Sequence, residues 1–306
     1  MRPPTEGPSV AIVLPTRGRR AGLEIALGSI VPQARTLGAE VVVVEDGGGE
    51  TRTAAERQRA RWVGRDRARG PNAARNAGVA ATAAELVVLT EDDVRAPDGW
   101  LAALVEAAAA HHDVDVFGGP IRGVVEGRRW RTCGREWPPI SSFHRGDADR
   151  EVELVFAGNM AVRRSALAGV GPFAESLGLY PAGEEARRIA AASSGSAPVA
   201  GFFGDEEEWQ DRYRASGGRI LYVADARLDH VRRGEEARIS ALVRAAYGRG
   251  RVARRWGESR GRAPSVGREL RVAAGSAWHL VARRCMNGLL FAADAAGRVR
   301  EAVARG

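Results

Sequence analysis

Leu86-Val87-Val88-Leu89-Thr90-Glu91-Asp92-Asp93 is the stretch on which the fold turns. Its apolar run reads as a strand buried on both faces, and that strand ends in three acids. Two other stretches have the same form. Val10-Ala11-Ile12-Val13-Leu14 closes at Pro15-Thr16-Arg17-Gly18, and Val41-Val42-Val43-Val44 closes at Glu45-Asp46-Gly47-Gly48. Between them Leu23, Leu27, Ile30, Ala34 and Leu37 recur at helical spacing, with Pro32 expected to kink or end the helix. Pro71 opens an Ala-rich helix to about Ala84, and Leu101, Leu104, Val105 and Ala108 mark another. Arg61-Trp62-Val63 and Val114-Asp115-Val116-Phe117 read as further strands. This alternation predicts a mostly parallel sheet flanked by helices. Ligands of such sheets bind beyond the carboxyl ends of the strands. The three polar strand ends are therefore expected to face one crevice.

Downstream the pattern loosens. Val124 to Pro139, with Trp130 and Trp137 among charges, reads as loop or edge structure. Phe156-Ala157-Gly158-Asn159-Met160-Ala161-Val162 reads as a strand containing a glycine. Ser193-Ser194-Gly195-Ser196 is a flexible stretch within a long connection. Gly204-Asp205-Glu206-Glu207-Glu208-Trp209 opens a helix stopped by Gly217-Gly218. Ile220 to Val223 is a strand, followed by Leu228-Asp229-His230. Ile239, Leu242, Val243, Ala246 and Tyr247 mark a helix. Gly248 to Pro264 reads as an Arg/Gly-rich linker. Trp278, Val281, Cys285, Leu289 and Ala292 mark a last amphipathic helix.

The 306 residues suffice for one large α/β domain and an appendage. No run has the length of a membrane span, and Met1 to Gly7 lacks the regions of a signal peptide. A cytoplasmic protein is expected. Cys133 and Cys285 lie far apart, without metal-ligand spacing, and read as ordinary thiols. The net charge is +8, but all 46 basic residues are arginine. With so much Ala and Gly, that reads as composition bias, and no nucleic-acid partner is inferred from it. A Walker motif cannot exist without lysine. No Gly-x-Gly-x-x-Gly follows the first strand and no Gly-x-Ser-x-Gly elbow occurs.

Crowded carboxylates repel one another unless a cation or a proton compensates. Hard oxygen ligands suit Mg²⁺ or Mn²⁺, which also take substrate phosphates. Glu91-Asp92-Asp93, following a buried strand, has that character. Asp205 and Glu208 form a pair like a capping box, and acids at a helix start complement its dipole.

Six segments, in order over about residues 9–232, resemble family 2 glycosyltransferases with the GT-A (Rossmann-like) fold. They are Val10–Gly18, Val41–Gly48, Gly70-Pro71-Asn72-Ala73-Ala74-Arg75-Asn76-Ala77-Gly78, Glu85–Asp93, Phe156–Arg164, and Gly204–His230. The resemblance implies an inverting transfer from a UDP-, dTDP- or GDP-sugar to an unidentified acceptor. It makes Glu91-Asp92-Asp93 the DxD-type motif, with Asp93 and then Asp92 as ligands of Mn²⁺ or Mg²⁺, and His230 as a further ligand. It assigns donor contacts to Pro15, Thr16, Arg17, Glu45, Asp46, Arg75, Glu91, Asp92, Gly158 and Asn159. The general base is Glu206 or its neighbour Asp205, since the usual Glu-Asp order is exchanged here. Glu45-Asp46-Gly47-Gly48 likewise departs from the usual Asp-Asp-Gly-Ser.

The expected division is a nucleotide-sugar half, 1–125, an acceptor half, 126–233, and a C-terminal helical extension, 234–306. That extension, rich in arginine and aromatic residues, permits peripheral contact with the inner face of a membrane, or a homodimer. Two other readings compete: a nucleotidyltransferase that makes the activated sugar, and a non-catalytic module for anionic surfaces.

Overall fold

The computed structural model of the chain describes residues 8–127, 133, 142–175 and 206–305. Expectations for Met1–Gly7, Trp130, Trp137, Ser193–Ser196 and Asp205 lie outside the described residues. The chain divides into two compact units. The first takes the described residues of Met1–Arg122, Phe143–Glu175 and Asp205–His230. The second takes those of Gly123–Ser142 and Val231–Gly306.

The first unit starts with β1 (Val10–Thr16), α1 (Arg20–Leu37), β2 (Glu40–Asp46), α2 (Arg52–Arg57), β3 (Arg61–Arg65), α3 (Pro71–Ala80) and β4 (Leu86–Thr90). It continues with β5 (Val94–Arg95), α4 (Trp100–Ala110), β6 (Val116–Gly118) and the start of β7 (Ile121–Val125), then β8 (Arg150–Val152), β9 (Asn159–Arg163) and α5 (Arg164–Val170). Its last elements are α6 (Glu207–Ala215), β10 (Ile220–Tyr222) and the start of β11 (Leu228–Arg232); the remaining residues of β7 and β11 fall in the second unit. The main sheet has eight strands in the order β3-β2-β1-β4-β9-β6-β10-β8. β1 is parallel to β2 and to β4, and β2 to β3. β9 enters antiparallel between β4 and β6. A smaller sheet has the order β5-β11-β7.

Continuous apolar strands pack on both faces because successive side chains point opposite ways. Ile12, Leu14, Val43 and Val88 pack with Leu23, Leu27 and Ile30 of α1. Their neighbours Val13, Val42, Val44, Val87 and Leu89 pack on the other face with Ala74, Trp209 and Tyr213. Each buried Val or Leu contributes about 1.5–3 kcal/mol, so the parallel strands are the firmest part of the unit. The order runs 3-2-1 and then jumps to 4, so the order of strand addition reverses between the parallel strands β1 and β4. Crevices for ligands open at such reversals.

Some local expectations are corrected. α1 runs unbroken through Pro32. Pro32 is exposed, so water reaches the carbonyl that its missing N–H leaves unbonded, while Ile30, Val31 and Ala34 hold the helix to the core. α3 ends at Ala80, short of Ala84, where Thr82 Oγ1 accepts from the Ala84 N–H. β9 begins at Asn159, because a turn closes first from the Asn159 N–H to Phe156 O.

The second unit holds α7 (Ile239–Ser259), α8 (Val266–Arg283) and α9 (Met286–Arg305). The expected linker from Gly248 is the second half of α7. Glycines are contact points on both helices: a Cβ on Gly250 of α7 would clash with Asp294 O, and one on Gly297 of α9 would clash with Tyr247 O. Its arginines pair with acids of α9, Arg249 with Asp294 at 2.8 Å and Arg255 with Glu301 at 2.6 Å. The single last helix is two. Arg284 takes a left-handed φ of 47° between them, and Trp278 and Val281 are exposed while Cys285 and Leu290 are buried. The apolar stripe read as one face thus belongs to two helices.

Candidate active site

The reversal between β1 and β4 brings the ends of both strands together. Thr16 Oγ1, at the end of β1, donates to Asp92 Oδ2 at 2.6 Å. Arg19, which precedes α1, donates from Nε to Asp92 Oδ1 at 3.0 Å. One terminal nitrogen of its guanidinium also contacts Asp92 and lies 3.0 Å from Asp93 Oδ2. Burial pushes the Asp92 carboxyl above its ordinary value of 3.8, Asp93 adds to that, and Arg19 and Thr16 pull it back.

Asp93 faces elsewhere. β11 pairs with β5 so that His230 lies opposite Val94, and His230 Nε2 comes within 3.1 Å of Asp93 Oδ2. Glu91 completes the group: ligand atoms of Glu91, Asp93 and His230 all lie within 4.8 Å of one another. The expected pair was Asp93 with Asp92; the carboxylate that joins Asp93 and His230 is Glu91, and Asp92 is engaged by Thr16 and Arg19. Two carboxylate oxygens and an imidazole nitrogen form a donor set that suits a divalent ion such as Mn²⁺, with further positions left for water and phosphate.

Glu91 is bordered on two sides. Buried Arg75 of α3 holds a guanidinium nitrogen 3.8 Å from Glu91 Oε1 and donates to Asn72 Oδ1 at 2.8 Å. Gly158 lies against the same carboxyl, where a Cβ would come within 3.3 Å of Glu91 Cδ.

Other expected site residues have partners within the fold. The Glu45 carboxylate accepts from the backbone N–H of Glu50 and Thr51, from Thr51 Oγ1 at 2.7 Å and from Trp62 Nε1 at 3.2 Å. Asp46 accepts from the Gly70 N–H at 2.7 Å and pairs with Arg65 at 3.0 Å. Both are fully buried and tie the β2 end to the loops beside it. Asn159 accepts from Trp100 Nε1 at 2.7 Å and donates to Ala226 O at 2.7 Å and Pro120 O at 3.2 Å. Pro15 is half-buried within β1, and Arg17 is exposed just beyond the strand. Glu206 is half-buried at the start of α6. Glu208 bonds Arg212 at 2.7 Å. Sequence reasoning missed Arg19, whose only signal is its position after Gly18 at a strand end, and Trp100, the partner of Asn159.

Residues 11–171 match the family described as glycosyl transferase family 2. The chain belongs to this family. The solved structures that resemble this family 2 chain include three glycosyltransferase-fold relatives. One is GalNAc-T7 with UDP, GalNAc and Mn²⁺, at 13% identity and a TM-score of 0.54, covering 79% of this chain and 48% of that one. Another is TarS of S. aureus, at 14% identity and a TM-score of 0.51, covering 81% and 42%. The third is the mannosyltransferase PcManGT from Pyrobaculum calidifontis with GDP-Man and Mn²⁺, at 17% identity and a TM-score of 0.54, covering 99% and 77%. The first two likenesses thus span about half the length of their chains. At these identities the likeness is one of fold, the GT-A fold with helices beyond it. No curated protein sequence matches the chain.

Proposed function

We propose that this family 2 chain binds a nucleotide-activated sugar at the ends of β1 and β4 and transfers its sugar, with inversion, to an acceptor hydroxyl. The observation that carries the reading is the meeting of Glu91, Asp93 and His230 beside the point where the strand order reverses. These three would hold Mn²⁺ or Mg²⁺. Bound there, the ion supplies Lewis-acid neutralisation of the leaving diphosphate. Arg19 and Arg75 flank the acids, and guanidinium groups suit phosphate geometry. Asp92 acts through others: it orients Arg19 and ties Thr16 to the β4 end. Pro15, Thr16 and Arg17 line the nucleoside end, and Glu45 and Asp46 shape it by fixing their loops. Gly158 leaves room for Glu91 and the donor sugar, and Asn159 fixes that segment. Glu206 takes the proton of the attacking hydroxyl; its neighbour Asp205 is the other candidate for that role.

UDP stands in the GalNAc-T7 structure and GDP-Man in that of PcManGT, so UDP- and GDP-sugars head the donor panel, with dTDP-sugars after them. The test is release of nucleoside diphosphate from that panel, with Mn²⁺, with Mg²⁺ and with chelator. Metal-dependent release supports the reading; no release with any donor in either metal contradicts it.

No helix among the described residues is long and apolar enough to cross a membrane. α8 does expose Leu270, Val272, Trp278 and Val281. Leu270, Trp278 and Val281 share one side of α8 at helical spacing, and that side, with Arg271 nearby, is proposed as a contact for an anionic membrane face or for a second copy of the chain. Co-sedimentation with anionic vesicles and the solution mass separate these two. If Trp278→Glu changes neither measurement, that side of α8 has no such role.

A further inference from the structure

The second unit holds another group of metal-ligating side chains. Cys133, His279 and Cys285 are scattered in sequence, and the two thiols read there as ordinary. In the structure both sulfur atoms and a ring nitrogen of His279 lie within 4.8 Å of one another. No disulfide joins the cysteines.

The surroundings favour a cation. His279 Nε2 is shielded from solvent and has no hydrogen-bond partner, a costly state for a polar atom unless it binds something. His279 sits one turn before the end of α8. Arg284, with its left-handed backbone, turns the chain there and leads into Cys285, which is buried. Arginine seldom takes this conformation, and such strain persists where the surroundings hold it. Buried Asn287 donates from Nδ2 to Cys133 Sγ at 3.4 Å, as outer partners of ligating groups do.

We propose that Cys133, His279 and Cys285 bind one Zn²⁺ ion. Thiolate and imidazole ligands favour zinc over Mg²⁺ or Mn²⁺. Three protein ligands leave the fourth tetrahedral position to water. Each thiol gives up its proton on binding, so two thiolates, a neutral imidazole and the dication sum to no net charge. The ion fastens Cys133 to the corner between α8 and α9. The residues differ from those of the Glu91–Asp93–His230 group, and so does the chemistry.

The test uses the full chain, reduced, stripped with chelator and titrated with Co²⁺. Thiolate-to-cobalt charge-transfer absorption is expected, saturating at one equivalent. Glu91, Asp93 and His230 offer no thiolate and contribute nothing to this band. C133S, which alters an exposed residue, lowers the band at saturation by half or more, and H279A, which keeps both thiolates, weakens Co²⁺ binding by about 10-fold or more. Asn287→Ala weakens Co²⁺ binding by about 10- to 100-fold. Zinc retained after purification falls in C133S and is unchanged in D93N. The proposal is overturned if reduced wild-type protein gives no charge-transfer band. It is equally overturned if C133S and wild type retain the same zinc, or if the two thiols prove to be oxidised to a disulfide and, once reduced, bind no zinc.

Discussion

Adjacent acids at one strand end have different partners, and substitution separates them. Asp93→Asn removes an anionic ligand while keeping the side chain's shape. It is expected to lower kcat by on the order of 10²–10³-fold, read as release of nucleoside diphosphate, with little change in melting temperature. Asp92→Asn acts on the fold: one of the two oxygens that accept from Thr16 and Arg19 becomes an NH₂ donor, and stability falls by about 1–3 kcal/mol in thermal or urea unfolding. Equal effects of the two on turnover would contradict this division. Glu206→Gln, if Glu206 is the base, lowers kcat by about 10²–10⁴-fold and leaves donor binding unchanged; wild-type turnover would remove Glu206 from the mechanism. The place of Asp93 just beyond an apolar run was legible in the sequence; His230, expected after a strand, lies inside β11. The distinction between Glu91 and Asp92 was less so. Residues leaving a strand alternate sides, which would have grouped Glu91 with Asp93, but the direction of Asp92 depends on Arg19, and nothing in the pattern marks that arginine. The contacts of Glu45 with Thr51 and Trp62 were hidden for the same reason, since side-chain partners across a turn leave no periodic trace.

Among the elements, β1, β2, β3 and β4 could be read from continuous apolar runs because burial on both faces demands them. The C-terminal helices were misread where composition imitates a linker. Gly250 and Gly297 are where α7 and α9 touch backbone to backbone, and Arg249 and Arg255 are held by Asp294 and Glu301. Gly250→Ala forces a methyl group onto the Asp294 carbonyl and should destabilise the second unit by about 1–3 kcal/mol, seen as an earlier unfolding transition; an unchanged transition would show that the helices can part at no cost. Glu301 gives the same contact a pH dependence. Hydrogen bonds from Arg255 and then Arg251 hold its carboxyl down to about 2, against an ordinary 4.5. A depressed value in the folded state means that the stabilisation is present above pH 4.5 and is lost as the pH falls toward 2. Melting temperatures taken through that window should drop for wild type and less steeply for Glu301→Gln.

For the whole molecule, the mostly parallel sheet was legible in the sequence, and the meeting of Glu91 with Asp93 and His230 was not, because His230 reaches Asp93 only through the pairing of β11 with β5. The grouping of Cys133 with Cys285 had no sequence signal, since their meeting depends on the turn at Arg284. The most direct measurement is calorimetric titration of the full chain with UDP and with GDP, in Mn²⁺ and in chelator, for wild type and Asp93→Asn. Binding of at least one nucleotide is expected in Mn²⁺, with about 100-fold or greater loss on chelation or in the variant. A nucleotide bound equally well with chelator and by Asp93→Asn, or neither nucleotide bound at all, would contradict a metal-assisted nucleotide-sugar site at Glu91, Asp93 and His230.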